Sequence, residues 1–211
     1  MSSTYEFFYF ESHGIVLTSR LLLSLGGFEW KDKYPKNWAE EKPTTPLGKL
    51  PVLTEQRADG STFVLAESNA INRYLARKAG LFGGNEDEAA LVDQFYESWN
   101  EIVTKRRPIR QIKDSNPEKY AEDYPNYIET IVKPILAKHE QHLAKSGSNY
   151  YVGDKISLVD VAASVVIATQ INNSGNAEIT EHTYPHLWQL YQKVSSLDAV
   201  KAEASRFSVK K

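Results

Sequence analysis

The side chains able to do chemistry in this sequence are hydroxyls, carboxylates and imidazoles; none is a thiol. Tyr9 stands near the end of an aromatic run, Tyr5-Glu6-Phe7-Phe8-Tyr9-Phe10, whose length and composition read as a buried strand. In an α/β unit the end of the first strand adjoins the loop where the binding crevice opens, so a phenolic hydroxyl there is a candidate hydrogen-bond donor. An aromatic in such a strand is otherwise a packing residue. Glu67 and Ser68 open a helical segment, where the same residue types serve either as helix caps or as part of an anion site. Ser157 and Asp160 form an S-x-x-D capping box, a stabilising device whose loss is expected to cost about 0.5–2 kcal/mol rather than chemistry. The five histidines, His13, His139, His142, His182 and His186, show no metal-ligand spacing. His139 and His142 are three apart, with only Glu140 beside them, and read as surface polar groups, so no metal site is expected.

The absence of cysteine excludes a disulfide framework, a CxxC redox pair, a protein thiolate nucleophile and Cys-ligated zinc or iron–sulfur centres. Any sulfur nucleophile has to arrive with a substrate. With 27 acidic and 25 basic residues the formal charge is −2, which gives no electrostatic footprint for nucleic acid. Apolar residues make up 41% and charged residues 25% of the 211, as in folded soluble proteins. No apolar run is long enough to span a bilayer, and the first residues lack the pattern of a signal peptide. The expectation is a cytoplasmic protein with no nucleic-acid or membrane partner.

Two halves must position these groups. The aromatic strand is followed by Gly14, by the apolar helical stretch Ile15 to Leu25, by Gly26-Gly27 where a C-cap belongs, and by a second strand at Phe28-Glu29-Trp30. This β-α-β order favours parallel pairing. Lys31 to Thr45, with Pro35 and Pro43, reads as an irregular loop holding at most a short helical turn. Leu50-Pro51-Val52-Leu53 and Thr62-Phe63-Val64-Leu65 flank an Asp59-Gly60 hairpin turn, and a helix runs from Glu67 toward Gly80. From Glu86 on the periodicity is helical: one helix to about Arg107 before Pro108, another from Pro117 with a kink or break at Pro134, the apolar helix Val161 to Ile171, and two short stretches near Leu187 and Leu197. The expected division is 1–82, a linker 83–88, and an all-helical domain 89–211.

The motifs resemble those of the cytosolic glutathione S-transferase family over nearly the whole chain. The first strand with Gly14 and Arg20-Leu21, the segment Thr45-Pro46-Leu47-Gly48-Lys49-Leu50-Pro51-Val52-Leu53, the segment Glu67-Ser68-Asn69-Ala70-Ile71, and Gly153 to Asp160 fall in the family's order. The strand tyrosine and the Trp38-x-x-x-Lys42 spacing are most similar to the sigma-like, tyrosine-type members. The resemblance implies an α/β thioredoxin-like first domain (β-α-β-α-β-β-α), an all-α second domain, and glutathione as co-substrate.

It also implies roles. The thiolate is the reacting form of glutathione, and each unit of thiol pKa depression requires about 1.4 kcal/mol, within reach of one charge-assisted hydrogen bond. Tyr9 occupies the catalytic tyrosine position; Ser12 is its rival, because other members use a serine just after this strand. Trp38 and Lys42 correspond to partners of the glycyl carboxylate, with Lys49 nearby in a backbone or structural role. Leu50, before a cis Pro51, would pair its backbone with the cysteinyl part. Glu67 and Ser68 would hold the γ-glutamyl end, and many relatives have Gln in place of Glu67. Asp93 matches a position that reaches that end across a dimer interface, or is a solvated helical carboxylate. Phe10, Tyr96 and Asn100 are candidates for the pocket of a small hydrophobic electrophile. Ile15 stands where vertebrate sigma-like members carry arginine, which counts against a prostaglandin-isomerase specialisation. The resemblance implies a homodimeric detoxification enzyme that conjugates electrophiles or reduces hydroperoxides; the alternatives are a glutathione-dependent isomerase or a non-catalytic module of the same fold.

Overall fold

The computed structural model of the chain describes residues 2–171 and 179–206. In chain order the elements are β1 (Thr4–Phe8), α1 (Leu17–Leu25), β2 (Glu29–Lys33), α2 (Trp38–Glu41), β3 (Val52–Gln56), β4 (Thr62–Ala66) and α3 (Ser68–Lys78). The helices α4 (Glu86–Gln111), α5 (Pro117–Tyr127), α6 (Lys133–Ser146), α7 (Leu158–Val166), α8 (Pro185–Ser195) and α9 (Asp198–Ser205) follow. They form two compact units, one running through Leu81 and including the segment from Leu197 on, the other from Phe82 to Ser196.

The first unit is built on a four-stranded mixed sheet in the order β2-β1-β3-β4. The α1 crossover makes β1 and β2 parallel, whereas β1–β3 and β3–β4 are antiparallel. Strand β1 buries Tyr5, Phe7 and Phe8; α1 is buried from Leu17 to Leu23 and packs against α3 and α9. The β3–β4 turn follows its sequence: Asp59 accepts hydrogen bonds from the Ser61 N–H and hydroxyl, and Gly60 takes a φ of 84° that a side chain would resist. The expected loop between 31 and 45 is more ordered than its prolines suggest. β2 extends to Lys33, residues 34–37 stay irregular, and α2 with the helical turn Lys42–Thr44 follows. Fold and class are those of a thioredoxin-like domain followed by a mostly helical one.

In the second unit α7 is the most buried helix and packs against α4 and α8. Its capping box is formed: the Ser157 side chain accepts from the Asp160 N–H, and the Asp160 carboxylate accepts from the Ser157 N–H. One feature differs from the sequence expectation, and the break expected at Pro134 takes a specific form. Helix α4 continues through Pro108 to Gln111, because the missing N–H affects only the exposed last turn. Before Pro134 the chain makes a widened helical turn, Ile128–Val132, which leads α5 into α6.

The unit boundary also differs. Residues Glu86 to Glu88, expected in a linker, are the first turn of α4, capped by the Asn85 side chain on the Glu88 N–H. Helix α9, expected in the helical domain, belongs to the first unit. Residues 172–178 and 207–211 of the expected domain lie outside the described residues.

His139 corrects a further expectation. It is 1% exposed, on the stripe that also buries Leu136 and Leu143, and not on the surface. Its Nδ1 lies 2.8 Å from the Tyr151 hydroxyl and its Nε2 2.8 Å from Ser98 Oγ. Because Trp99 Nε1 donates to the Tyr151 oxygen at 2.9 Å, the Tyr151 proton goes to Nδ1 and the His139 proton sits on Nε2. Burial, with His142 adding to it, pushes the His139 pKa down to about 3.

Candidate active site

The strand register gathers the candidate residues of the first unit at one edge of the sheet. Phe8 pairs with Val52, and Val52 pairs with Ala66, so these three form the last common row of β1, β3 and β4. The next position beyond that row is Tyr9 on β1, Pro51 on β3 and Glu67 on β4. Neighbouring strands lie about 4.8 Å apart, so the three share a narrow strip of the sheet edge.

Tyr9 continues β1 through its N–H to the Lys33 carbonyl at 3.1 Å. Its ring is half-buried and meets the Phe10 ring edge-on at 5.5 Å. Among the described residues none hydrogen-bonds the Tyr9 hydroxyl, which leaves it able to donate to a bound group. Gly14 lets the following loop close on it: a Cβ at Gly14 would stand 2.7 Å from that hydroxyl oxygen. Ser12, the rival hydroxyl, is exposed, and its carbonyl accepts from Arg20 Nη1 at 2.6 Å.

Phe10 is 42% exposed and lies edge-to-face on Trp38 at 5.9 Å, so the apolar wall and the indole of α2 stand together. Lys42, at the end of α2, is exposed with its stem alongside Gly48, and Lys49 is exposed as well. The Leu50–Pro51 peptide bond is cis, as the resemblance implied. Leu50 is half-buried and Pro51 buried.

Glu67 holds φ 73° and ψ 117°, outside the ordinary regions for a side-chain-bearing residue. Its side chain is exposed and makes no cap bond to α3, which sets it apart from a simple N-cap. Helix α3 begins at Ser68, directly after this strained residue, and the N-terminus of a helix favours a carboxylate. Asp93, Tyr96 and Asn100 lie in the other unit, on α4: Asp93 and Asn100 are half-buried and Tyr96 is 3% exposed.

Sequence reasoning passed over a buried ionic cluster beside this edge. Arg20 is fully buried and donates from Nε and Nη2 to Asp32 Oδ1 at 3.1 and 3.0 Å. The other Asp32 oxygen accepts from Tyr34 and from Arg206, and Arg206 also bonds Glu203 at 2.9 Å. Burial, then the charge of Asp32, pushes the Tyr34 pKa up. The signal was a single cation inside the apolar run Ile15–Leu25, because arginine is almost never fully buried without a partner.

Among the described residues no group of three or more histidines and carboxylates could hold a metal ion, and no helix is long and apolar enough to cross a membrane.

Residues 7–77 match the family described as glutathione S-transferase, N-terminal domain, and residues 105–202 match glutathione S-transferase, C-terminal domain. Glutathione S-transferase 1 of Ascaris suum is 33% identical over 171 residues, 78% of this chain and 79% of that one. The chain belongs to the glutathione S-transferase family. A solved glutathione S-transferase from Ascaris lumbricoides is 29% identical, covers 94% of this chain and 95% of its own, and superposes with a TM-score of 0.75. The structure of prostaglandin synthase D of Nilaparvata lugens gives 26% identity, 98% and 99% coverage and a TM-score of 0.79. In glutathione S-transferase terms, the strip holding Tyr9, Pro51 and Glu67 lies within the matched N-terminal domain, and Asn100 falls just before the matched C-terminal segment.

Proposed function

We propose that this glutathione S-transferase binds glutathione along the sheet edge, ionises its thiol through a hydrogen bond from the Tyr9 hydroxyl, and transfers the sulfur to small hydrophobic electrophiles. The observation that carries the reading is an unengaged Tyr9 hydroxyl one position beyond the row Phe8–Val52–Ala66, beside a cis Pro51 and a strained Glu67.

Trp38 and Lys42 take the glycyl carboxylate. The Leu50 backbone pairs with the cysteinyl part as an added strand would. Glu67 takes the γ-glutamyl ammonium, and Ser68 with the α3 N–H groups takes the adjoining carboxylate. The thiol proton leaves to solvent while Tyr9 stays protonated and donates to the thiolate, which lowers the thiol pKa. The thiolate then forms a carbon–sulfur bond and expels the leaving group. With an organic hydroperoxide it attacks the terminal oxygen, and a second glutathione completes the reduction to alcohol, water and glutathione disulfide.

Phe10, exposed beside Trp38, supplies an apolar wall for the electrophile. The active form is a cytoplasmic homodimer, in which Asp93 reaches the γ-glutamyl group of the partner's glutathione. The exposed apolar side chains Leu47, Val64 and Leu91 are of the kind a subunit interface covers.

Replacing Tyr9 with Phe tests the mechanism. The expected result is a loss of about 10- to 150-fold in kcat, the equivalent of one charge-assisted hydrogen bond, with a raised thiol pKa seen by thiolate absorbance. Retained activity in Tyr9→Phe and its loss in Ser12→Ala would transfer the role to Ser12. Calorimetric titration with glutathione separates this reading from a non-catalytic module: absence of heat at millimolar ligand would reject it.

A further inference from the structure

Helix α9 is the last of the described elements, yet it lies in the unit that carries Tyr9, and the buried ionic cluster runs from it to the loop that follows Tyr9. That loop folds back on itself: the Ser12 N–H reaches the Phe10 carbonyl at 2.7 Å, and Gly14, at φ 47°, closes against the Tyr9 hydroxyl. Its middle is held by Arg20 Nη1 on the Ser12 carbonyl at 2.6 Å.

The guanidinium has a fixed planar geometry, so its remaining donors decide where Nη1 can be. Nε and Nη2 are both committed to Asp32 Oδ1. Asp32 is in turn fixed from its other oxygen by Arg206, whose guanidinium lies over the Trp30 ring at 4.9 Å and bonds Glu203. Glu203 Oε1 lies 4.0 Å from Arg20 Nε, which closes the circuit. Two cations and two carboxylates balance, with Arg20, Asp32 and Glu203 almost wholly buried.

We infer that Arg20 is a positioning residue for the Tyr9 hydroxyl, and that α9, through Arg206 and Asp32, is a working part of the thiol-activating site. The inference rests on the reading that Tyr9 ionises glutathione. It assigns the C-terminal helix a function in the first chemical step, separate from any contact with the electrophile. A shift of the loop changes the hydroxyl-to-sulfur distance, and misplacements of about 1 Å can cost up to 100-fold in rate.

The test uses the full-length protein. Arg206 is about one-third exposed at its side chain, so Arg206→Met removes the strut while leaving the Arg20–Asp32 pair intact. Expected are a fall in kcat of about tenfold, a raised pKa of the bound thiol, and unchanged calorimetric affinity for S-methylglutathione, whose binding groups lie elsewhere. Arg206→Lys restores most of the rate. In a Tyr9→Phe background, Arg206→Met adds little further loss, because both act on one hydrogen bond. Because thiol pKa is read per bound glutathione, a purely structural role would lower the melting temperature without moving it. A folded Arg206→Met protein with normal kcat and thiol pKa, or one whose loss persists undiminished in the Tyr9→Phe background, would overturn the inference and leave the tyrosine mechanism standing. A Tyr9→Phe protein with unaltered thiol pKa would overturn both. Arg20→Lys is the second probe: it keeps the charge but cannot hold Asp32 and Ser12 together, and it is expected to raise the thiol pKa as Arg206→Met does; an unchanged value counts against the inference.

Discussion

Glu55 in the first unit and Asp160 in the second are both carboxylates without exposed surface, and their acidities have moved in opposite directions. Burial pushes each one up. Around Glu55 that push is outweighed by hydrogen bonds from Tyr74, from Lys78 Nζ at 3.1 Å and from Arg57 Nε at 3.2 Å, which hold it at about 2, with Tyr5 donating as well. Asp160 has only neutral donors, Ser157 N–H and hydroxyl and Tyr151 N–H at 2.7, 2.6 and 2.9 Å, and burial leaves it at about 6. The same contrast extends through each unit. The first pairs its buried charged groups with opposite charges, Arg20 with Asp32 and Glu55 with its cations. The second surrounds its own with neutral partners, in Trp99–Tyr151–His139–Ser98 and in the α7 cap. The sign of a buried group's shift is therefore set by the charge of its partners rather than by burial alone.

The largest pH effect is expected from His139. Its folded pKa, about 3, lies below the unfolded value of 6.5, so the folded state binds fewer protons between these limits. Its stability contribution is fully present above 6.5 and declines as pH falls toward 3, by up to about 5 kcal/mol. His139→Gln should flatten that acid slope in urea denaturation followed by tryptophan fluorescence; a slope that survives the substitution would place its source elsewhere. Glu55 comes next. Its contribution is present above 4.5 and lost as pH falls toward 2, about 3–4 kcal/mol over the full window. Glu55→Gln is accordingly less stable at neutral pH, and the gap to the parent should close steadily from pH 5 to pH 3. A gap that stays constant would mean that the surrounding cations do not hold Glu55 ionised.

The groups lying on one short motif were legible in the sequence. Tyr9, Leu50-Pro51 and Glu67-Ser68 each sit beside a strand whose end is marked by its own residues, so the strip at the sheet edge followed from local signals. Asp160 was legible for the same reason, as the fourth residue of a capping box. What escaped depends on distant pairing. Arg20 meets Asp32 across a crossover and Arg206 from the far end of the chain, and eight residues of amphipathic α9 carry no information about which unit they cover. His139 was readable in part: Leu136, His139 and Leu143 share a helical stripe, but its partner Tyr151 lies in an irregular segment with no periodicity to reveal it. Pro108 misled because the rule that proline ends helices applies to interiors, and this proline is in the last turn.

Asp160 gives the smallest of these pH effects and the clearest contrast with Glu55. Its folded pKa, about 6, stands above the unfolded value of 3.8, so between these limits the folded state holds a proton that the unfolded state has lost. Its contribution is fully present below 3.8 and is lost as pH rises through 6, about 3 kcal/mol in all. An exposed capping aspartate behaves in the opposite way, since the ionised form then makes the better cap. Asn at this position keeps the shape without the titration, but its single acceptor oxygen can serve only one of the Tyr151 and Ser157 N–H groups. Asp160→Asn should therefore cost about 1–3 kcal/mol at pH 7, the penalty for one buried donor left unpaired. On acidification to pH 4 the parent gains stability from this group and the variant does not, so the gap should widen by about 2 kcal/mol while the Glu55→Gln gap closes. If instead both gaps close in acid, Asp160 is stabilised as an anion after all, and the two units handle buried charge in the same way.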